Sequence, residues 1–453
     1  MDTKQKRNYG HISPFLELAK KLANRNLYVY FCSTAVNLDS IKPKVSPNHS
    51  LSIQFIELKL PLLPQLPSYY QTTKGLPPHL LNTLVKAVDM SWDGFATILK
   101  TLDPDLFIYD LLQPWAPTLA SSLNIPAILF YTASVAAASF TFHGLKNLKR
   151  EEFPFPEFYI NDCFMPTKSS RNEFGRTPPV SSSKERIPQC FEHSSDIILV
   201  KSFRELEGKY MGYLSILLNK KIVPTGPLVR DASEEHHENE KEILEWLTKK
   251  RKASTVFVSF GSEYYLSNKE REAIAEGLEL SEVNFIWALR FPVGDKEKPK
   301  LEEALPEGYL ERIGERGLMV EDWAPQAKIL QHSSIGGFVS HCGWNSVIES
   351  LKFGVPIIAM PMCFDQPLNA RLVQAVGVGV GVKREKDGSL EREEIVRAIK
   401  QVVGEKDGEN IRNKAREMSN YIKIKRDEEV DEVVQEFIQI LHKGGLKIHN
   451  QNV

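Results

Sequence analysis

The sequence predicts an α/β protein built on parallel sheets, and three observations carry that prediction. Short apolar runs alternate with longer stretches of helical period along most of the chain. Two of those runs, 335–339 and 356–360, end in polar clusters, His341-Cys342-Gly343 and Cys363-Phe364-Asp365-Gln366. Open α/β sheets deliver ligand-binding side chains at such strand ends. The chain of 453 residues is also long enough for two domains of about 200 residues each.

In the first half, 27–34, 51–58, 106–109, 127–131 and 197–203 read as strands, with helices over 14–24 and 80–102. Residues 154–195 are rich in Pro, Ser and charge without a clear period. They read as a long excursion suited to an acceptor pocket or lid. The stretch 230–242 is acidic and polar, with Ala232 its only apolar residue, and reads as a linker between an N-terminal domain (1–229) and a C-terminal domain (243–453). His236-His237 within it reads as solvated linker rather than a metal site. Beyond it, 255–260, 284–290 and 317–320 add strands. Helices are expected over 268–280, 345–353, 366–376, 392–403 and 408–424. Gly377, Gly379 and Gly381 read as a helix end running into a short strand, because the spacing is not that of a dinucleotide fingerprint. The last helix is amphipathic, with apolar residues at 430, 433, 434, 437, 438, 440 and 441.

Composition excludes several classes. A formal net charge of −1 gives no general attraction to nucleic acid or acidic membranes. The five cysteines lack CxxC spacing, so neither a disulfide framework nor a zinc site is expected. No run of about 18 apolar residues predicts a membrane span, and the first residues lack the apolar core of a signal peptide. A cytoplasmic monomer acting on small molecules is the expectation. Asp103-Pro104-Asp105 precedes a strand rather than following one and reads as a turn, so no metal is expected.

The stretch 323–366 carries the chemistry. Gly343-Trp344-Asn345-Ser346 opens a helix, offering backbone N–H groups and a positive dipole end to a diphosphate. His341 and the Ser346 hydroxyl add donors. Trp323 offers a flat face to a base, and Glu349 can accept from two ribose hydroxyls. Asp365 and Gln366 offer acceptors and a donor to sugar hydroxyls. A second constellation lies upstream. His11 in GHISP precedes a helix start that Ser13 would cap with Pro14 in the first turn. A histidine there suits removal of a hydroxyl proton, and Asp110, at the end of the run 106–109, could orient it.

From its Trp to its final Gln, with HCGWNS and FDQ intact, this stretch resembles the signature of plant family 1 UDP-glycosyltransferases. The resemblance runs from Gly10 to about residue 440. It implies two Rossmann-like domains facing a cleft, the glycosyltransferase B architecture, with the terminal helix returning to the first domain. It implies that Trp323 stacks on uracil, that Gln326 and Glu349 hold the ribose, and that His341, Asn345 and Ser346 hold the phosphates. Trp344, Asp365 and Gln366 would contact the sugar, with Thr132, Ser262, Ala324 and Gly343 completing the donor set. His11 and Asp110 would be base and orienting acid. The final Gln implies UDP-glucose as co-substrate, with no cofactor. GHISPFLELAKKL, GLPPHL and IYDLLQPWA resemble the branch that adds a sugar to the sugar of phenylpropanoid, flavonoid or terpenoid glycosides.

One departure stands out. The family carries an apolar first strand ahead of GHxxP, where this chain has DTKQKRNY. Lys4, Lys6 and Arg7 inside a central strand would bury unpaired charge, so that strand is expected to be missing. Two alternatives follow: a weakly active UDP-sugar-binding pseudoenzyme, and a transferase acting directly on a small phenolic aglycone.

Overall fold

The computed structural model describes residues 11–73, 76–159, 183–232, 239–262, 264–291, 299–321, 323–404, 408–425 and 427–443. The expected gap at 2–9, the middle of the 154–195 excursion and the His236-His237 pair lie outside them. The chain forms two compact units. One comprises Met1–Val135, Gly175–Leu228 and Lys425–Val453, and the other Ala136–Phe174 and Val229–Ile424.

The first unit holds two parallel sheets. β1 (Val29–Ser33) pairs with β2 (Ile53–Glu57). β3 (Phe107–Tyr109), β4 (Ala127–Tyr131), β5 (Ile197–Val200) and β6 (Lys221–Pro224) follow in sequence order. Every residue of β4 and β5 is buried, as central parallel strands require. β3 is only half-buried at Phe107 and Ile108. Among the described residues, β1 pairs only with β2 and β3 only with β4. Yet Val29 and Ile108 pack on one apolar cluster, formed by Leu18 and Leu22 of the Ile12–Ala23 helix, the β4–β6 core and Val433, Phe437 and Ile440 of the terminal Glu428–Lys443 helix. Ion pairs along the terminal helix, including Arg25–Asp431 at 2.6 Å and Lys221–Glu436 at 2.6 Å, flank that apolar seam.

Several local expectations are corrected. The predicted 80–102 helix is two, Leu81–Asp89 and Trp92–Leu102, broken where the Ser91 hydroxyl donates to the Val88 carbonyl and competes with the helical ladder. The Ile12–Ala23 helix starts ahead of Ser13, and His11 itself occupies the cap position. Pro14 is tolerated because first-turn N–H groups have no intrahelical acceptor. The helices Ala116–Ser122, Val135–Leu145 and Arg204–Leu218 were not anticipated. The Glu240–Thr248 helix begins inside the predicted 230–242 linker.

The second unit is built on a six-stranded parallel sheet in the order β12-β11-β10-β7-β8-β9. These are β7 (Thr255–Ser259), β8 (Asn284–Leu289), β9 (Gly317–Glu321), β10 (Ile335–Ser340), β11 (Ile357–Ala359) and β12 (Gly379–Gly381). The order reverses between β7 and β10, the switch point at which doubly wound sheets bind ligands.

Candidate functional site

The two strands at the switch point are capped by two glycine turns around one histidine. After β7 the chain turns at Gly261, with φ +73°, and a Cβ there would lie 2.6 Å from His341 Nε2. A Cβ on Gly343 would lie 2.5 Å from the same atom. Both positions therefore exclude side chains so that the imidazole can sit between the turns. His341 Nδ1 is enclosed with no hydrogen-bond partner. Burial takes the imidazole down to about 4, against a smaller opposing pull from the Ser259 backbone. His341 is therefore neutral near pH 7. In that form it can donate a hydrogen bond to an anion such as a phosphate oxygen.

The helix that follows carries the positive field instead. Cys342 adopts φ +62°, with its amide donating to Ser340 Oγ at 3.1 Å and its carbonyl accepting from Asn369 Nδ2 at 2.9 Å. Gly343 then caps the Trp344–Phe353 helix. A glycine brings no capping side chain, and no acidic residue lies in the first turn, so nothing in this segment cancels the dipole at its start. Trp344 and Ser346 are buried and Asn345 is half-buried. One turn on, Glu349 Oε2 accepts from Gln326 Nε2 at 2.6 Å, and Gln326 also lies 3.5 Å from Ser346 Oγ. Gln326 opens the Gln326–Gln331 helix just after half-buried Trp323, whose amide donates to the Glu321 carbonyl, and after buried Ala324. Ser262, half-buried, directly follows Gly261.

The β11 end supplies the third group. Asp365 caps the Gln366–Ala375 helix. Gln366 Oε1 accepts from the amides of Met362 and Cys363, both at 2.9 Å. Two backbone donors fix the orientation of the side-chain amide, so its carbonyl is spent on the loop, and of the two N–H groups on Nε2 one reaches Cys363 Sγ at 3.5 Å. Buried Arg384 holds the same loop from behind, donating to the carbonyls of Pro361 at 3.0 Å and Gly388 at 2.8 Å. Asn369, Arg384 and Ser340 were not foreseen. The one local signal was the position of Asn369, one helical turn after Asp365.

In the first unit, His11 Nδ1 lies 3.1 Å from Asp110 Oδ1 and 3.4 Å from Thr132 Oγ1. The structure thus brings these three residues together at the ends of β3 and β4. With Nδ1–H donated to the carboxylate, Nε2 keeps its lone pair for a proton. The Asp110 loop is pinned on both sides. Tyr109 Oη donates to the Cys190 carbonyl at 2.5 Å, and Cys190 Sγ donates to the Leu111 carbonyl at 3.2 Å. Arg186 donates to the Leu112 carbonyl at 3.3 Å and forks onto Asp89 at 2.8 and 2.9 Å. These supports join residues far apart in sequence and left no local signature. Asp103 is the left-handed cap of the Trp92–Leu102 helix. Among the described residues no group of three or more His, Cys, Asp or Glu could hold a metal, and no helix is long and apolar enough to cross a membrane.

Residues 8–230 match the family model of the glycosyltransferase N-terminal domain, and 219–434 match that of UDP-glucoronosyl and UDP-glucosyl transferases. The chain is 54% identical over 434 residues to mogroside IIIx synthase of Siraitia grosvenorii, covering 96% of this chain and 91% of that protein. The chain belongs to the plant family 1 UDP-glycosyltransferases. This UDP-glycosyltransferase is also 51% identical to UDP-glucosyltransferase 29 of Panax ginseng, covering 96% of this chain and 95% of that one. It is 47% identical to the β-D-glucosyl crocetin β-1,6-glucosyltransferase of Gardenia jasminoides, covering 96% and 97%. Among solved structures, a Siraitia grosvenorii transferase in complex with UDP superposes with a TM-score of 0.77 at 26% identity, covering 95% of this chain and 98% of that one. A Glycyrrhiza uralensis transferase with glycyrrhetinic acid 3-O-monoglucuronide reaches 0.80 at 23% identity, covering 96% and 94%, and shows the shared fold. The fold is that of glycosyltransferase B enzymes.

Proposed function

We propose that this enzyme transfers glucose from UDP-glucose, with inversion, to a hydroxyl on the sugar of a plant glycoside, a terpenoid, flavonoid or phenylpropanoid conjugate. The observation that carries the donor reading is the uncancelled start of the Trp344–Phe353 helix beside neutral His341, with Asp365 and Gln366 one strand away. The diphosphate takes the helix start, Trp323 the base, and Gln326 with Glu349 the ribose. Asp365 accepts from glucose hydroxyls and Gln366 donates to one. A site that pairs hydroxyls rejects an epimer by leaving buried polar groups unpaired.

For the transfer itself, His11 Nε2 takes the acceptor hydroxyl proton as that oxygen attacks the anomeric carbon. The bond from that carbon to the diphosphate breaks, UDP leaves with the electron pair, and the configuration inverts. Asp110 holds the imidazole in the tautomer that accepts at Nε2 and stabilises the imidazolium. The acceptor class is supported by relatives whose names describe action on glucosylated crocetin and on other glycosides, including a cyanidin-3-O-glucoside 2-O-glucuronosyltransferase of Bellis perennis, 46% identical. The test is a transfer assay crossing UDP-glucose, UDP-galactose and UDP-glucuronate with paired aglycones and monoglucosides. Glucose transfer to monoglucosides is the expected result. Preference for another donor, or for the free aglycones, overturns the corresponding half of the proposal.

A further inference from the structure

Asn369 lies outside the stretch read as donor-binding, and its side chain is wholly buried. Its Nδ2 donates to the Cys342 carbonyl at 2.9 Å and to Asp365 Oδ2 at 3.0 Å. Its Oδ1 is enclosed without a partner. Two acceptors on one side fix the amide orientation. A buried polar atom left unmet carries a cost, and here the NH₂ group at the other end of the amide serves two loops at once.

Those loops have separate tasks. Cys342 stands immediately ahead of the Gly343 turn and holds a left-handed conformation, φ +62°, that non-glycine residues rarely adopt. Its amide is tied by Ser340 and its carbonyl by Asn369. Asp365 is the carboxylate at the end of β11, and Asn369 follows it on the same helix, with its backbone amide donating to the Asp365 carbonyl at 3.0 Å. One side chain therefore sets the diphosphate turn and the sugar-facing carboxylate relative to each other.

We propose that Asn369 is a positioning residue that couples the diphosphate turn at Cys342-Gly343 to the sugar-reading carboxylate of Asp365. The proposal rests on the donor-site reading above. It implies that Asn369 controls the affinity that the diphosphate and sugar add to uridine, and the preference among sugar epimers, without touching the base-binding part of the site.

The test measures binding of uridine, UDP, UDP-glucose and UDP-galactose by calorimetry, with melting temperature alongside. The proteins are the wild type, Asn369→Asp, Asn369→Ala and the double variant Cys342→Gly/Asn369→Ala. Asn369→Asp keeps the shape, removes both donors and sets a carboxylate against the Cys342 carbonyl and Asp365. At pH 7.5 uridine affinity should stay within about twofold, UDP should weaken about tenfold and UDP-glucose about 10²-fold, with the glucose-to-galactose preference shrinking. Lowering the pH to 5 should restore part of the UDP-glucose affinity, as the two facing carboxyls come to share a proton. In the double variant, glycine accepts the left-handed backbone, so UDP affinity should recover relative to Asn369→Ala while the epimer preference should not. Asn369→Asp protein that binds all four ligands as the wild type does overturns the proposal, whatever its melting temperature. So does a loss of uridine affinity as large as that of UDP-glucose, which marks general disruption of the unit. Wild-type protein that binds none of the four sinks the donor-site reading and this proposal with it.

Discussion

The first unit should be stabilised by an apolar strand added ahead of Tyr9, and the gain can be sized from the sheet. β1 presents five residues and β3 three along edges that pair with no other described strand. A parallel strand pairing with both edges would gain about 1 kcal/mol for each of eight ladder positions. Ordering five inserted residues costs about 1–2 kcal/mol each, so the backbone terms nearly cancel. The net gain then comes from burying five apolar side chains on both faces of the sheet, less their lost rotamer freedom, roughly 5 kcal/mol in all. For a unit of this size that raises the melting temperature by about 10–20 °C. The same addition should firm the Ile12–Ala23 helix that carries His11 at its start, so transfer activity should rise with stability. The assay compares the chain as it stands with a version carrying about ten residues of Val/Ile-rich strand before Tyr9, by differential scanning calorimetry and by glucose transfer. A wild-type protein that already melts in one sharp transition and turns over as fast as the graft refutes the reasoning. It would show that another segment completes the sheet.

Three further outcomes are expected. His11→Ala should lower the transfer rate about 10²–10⁴-fold while UDP affinity by calorimetry stays unchanged, and activity that survives the change removes His11 from its role. His341 has its pKa depressed to about 4, so between pH 6.5 and 4 the unfolded chain binds more protons than the folded one. The second unit should therefore lose stability as pH falls through that window, by on the order of 3 kcal/mol, and His341→Gln should flatten the slope in pH-resolved melts. Glu429 behaves oppositely: burial raises it to about 7, so the folded state binds the extra proton between pH 4.5 and 7. The first unit should lose stability as pH rises through that window, and Glu429→Gln should abolish the loss in the same melts.

The residues read as the donor half could be grouped from sequence because they are local. Its strand ends, helix start and polar side chains lie in one contiguous stretch, and their order fixes the geometry. The strands of the second sheet were likewise bounded to within a residue or two, because buried parallel strands read as unbroken apolar runs. The supports behind them were not legible. Asn369 matters through a carbonyl 27 positions away, Arg384 through Pro361, and Arg186 through Asp89 across 97 positions. Helices such as Arg204–Leu218, which buries Leu206, Tyr210, Met211 and Leu214 among charged residues, fell between strand-centred readings. The start of the first helix was misplaced because Ser13 has the chemistry of a cap, while the structure puts His11 there without any side-chain cap bond.

The second unit shows why a motif can be specific and yet leave the sugar open. Two non-glycine residues, Cys342 and Phe364, hold left-handed backbones two residues before the Trp344–Phe353 and Gln366–Ala375 helices. Conformations of that kind persist only where surrounding contacts over-determine them. Here Ser340 and Asn369 fix the first loop, and the Gln366 carbonyl with Arg384 fixes the second. Part of the matching sequence therefore maintains loop shape rather than reading hydroxyls. Gln366 belongs to that support, with its oxygen accepting from two backbone amides and its Nε2 donating to Cys363 Sγ at 3.5 Å. A histidine in its place could not accept from two adjacent amides and donate to a sugar from the same planar amide. Replacing Gln366 changes the loop as well as the side chain, so a shift in donor preference on its substitution would report the geometry of residues 361–366 together with the chemistry of one side chain.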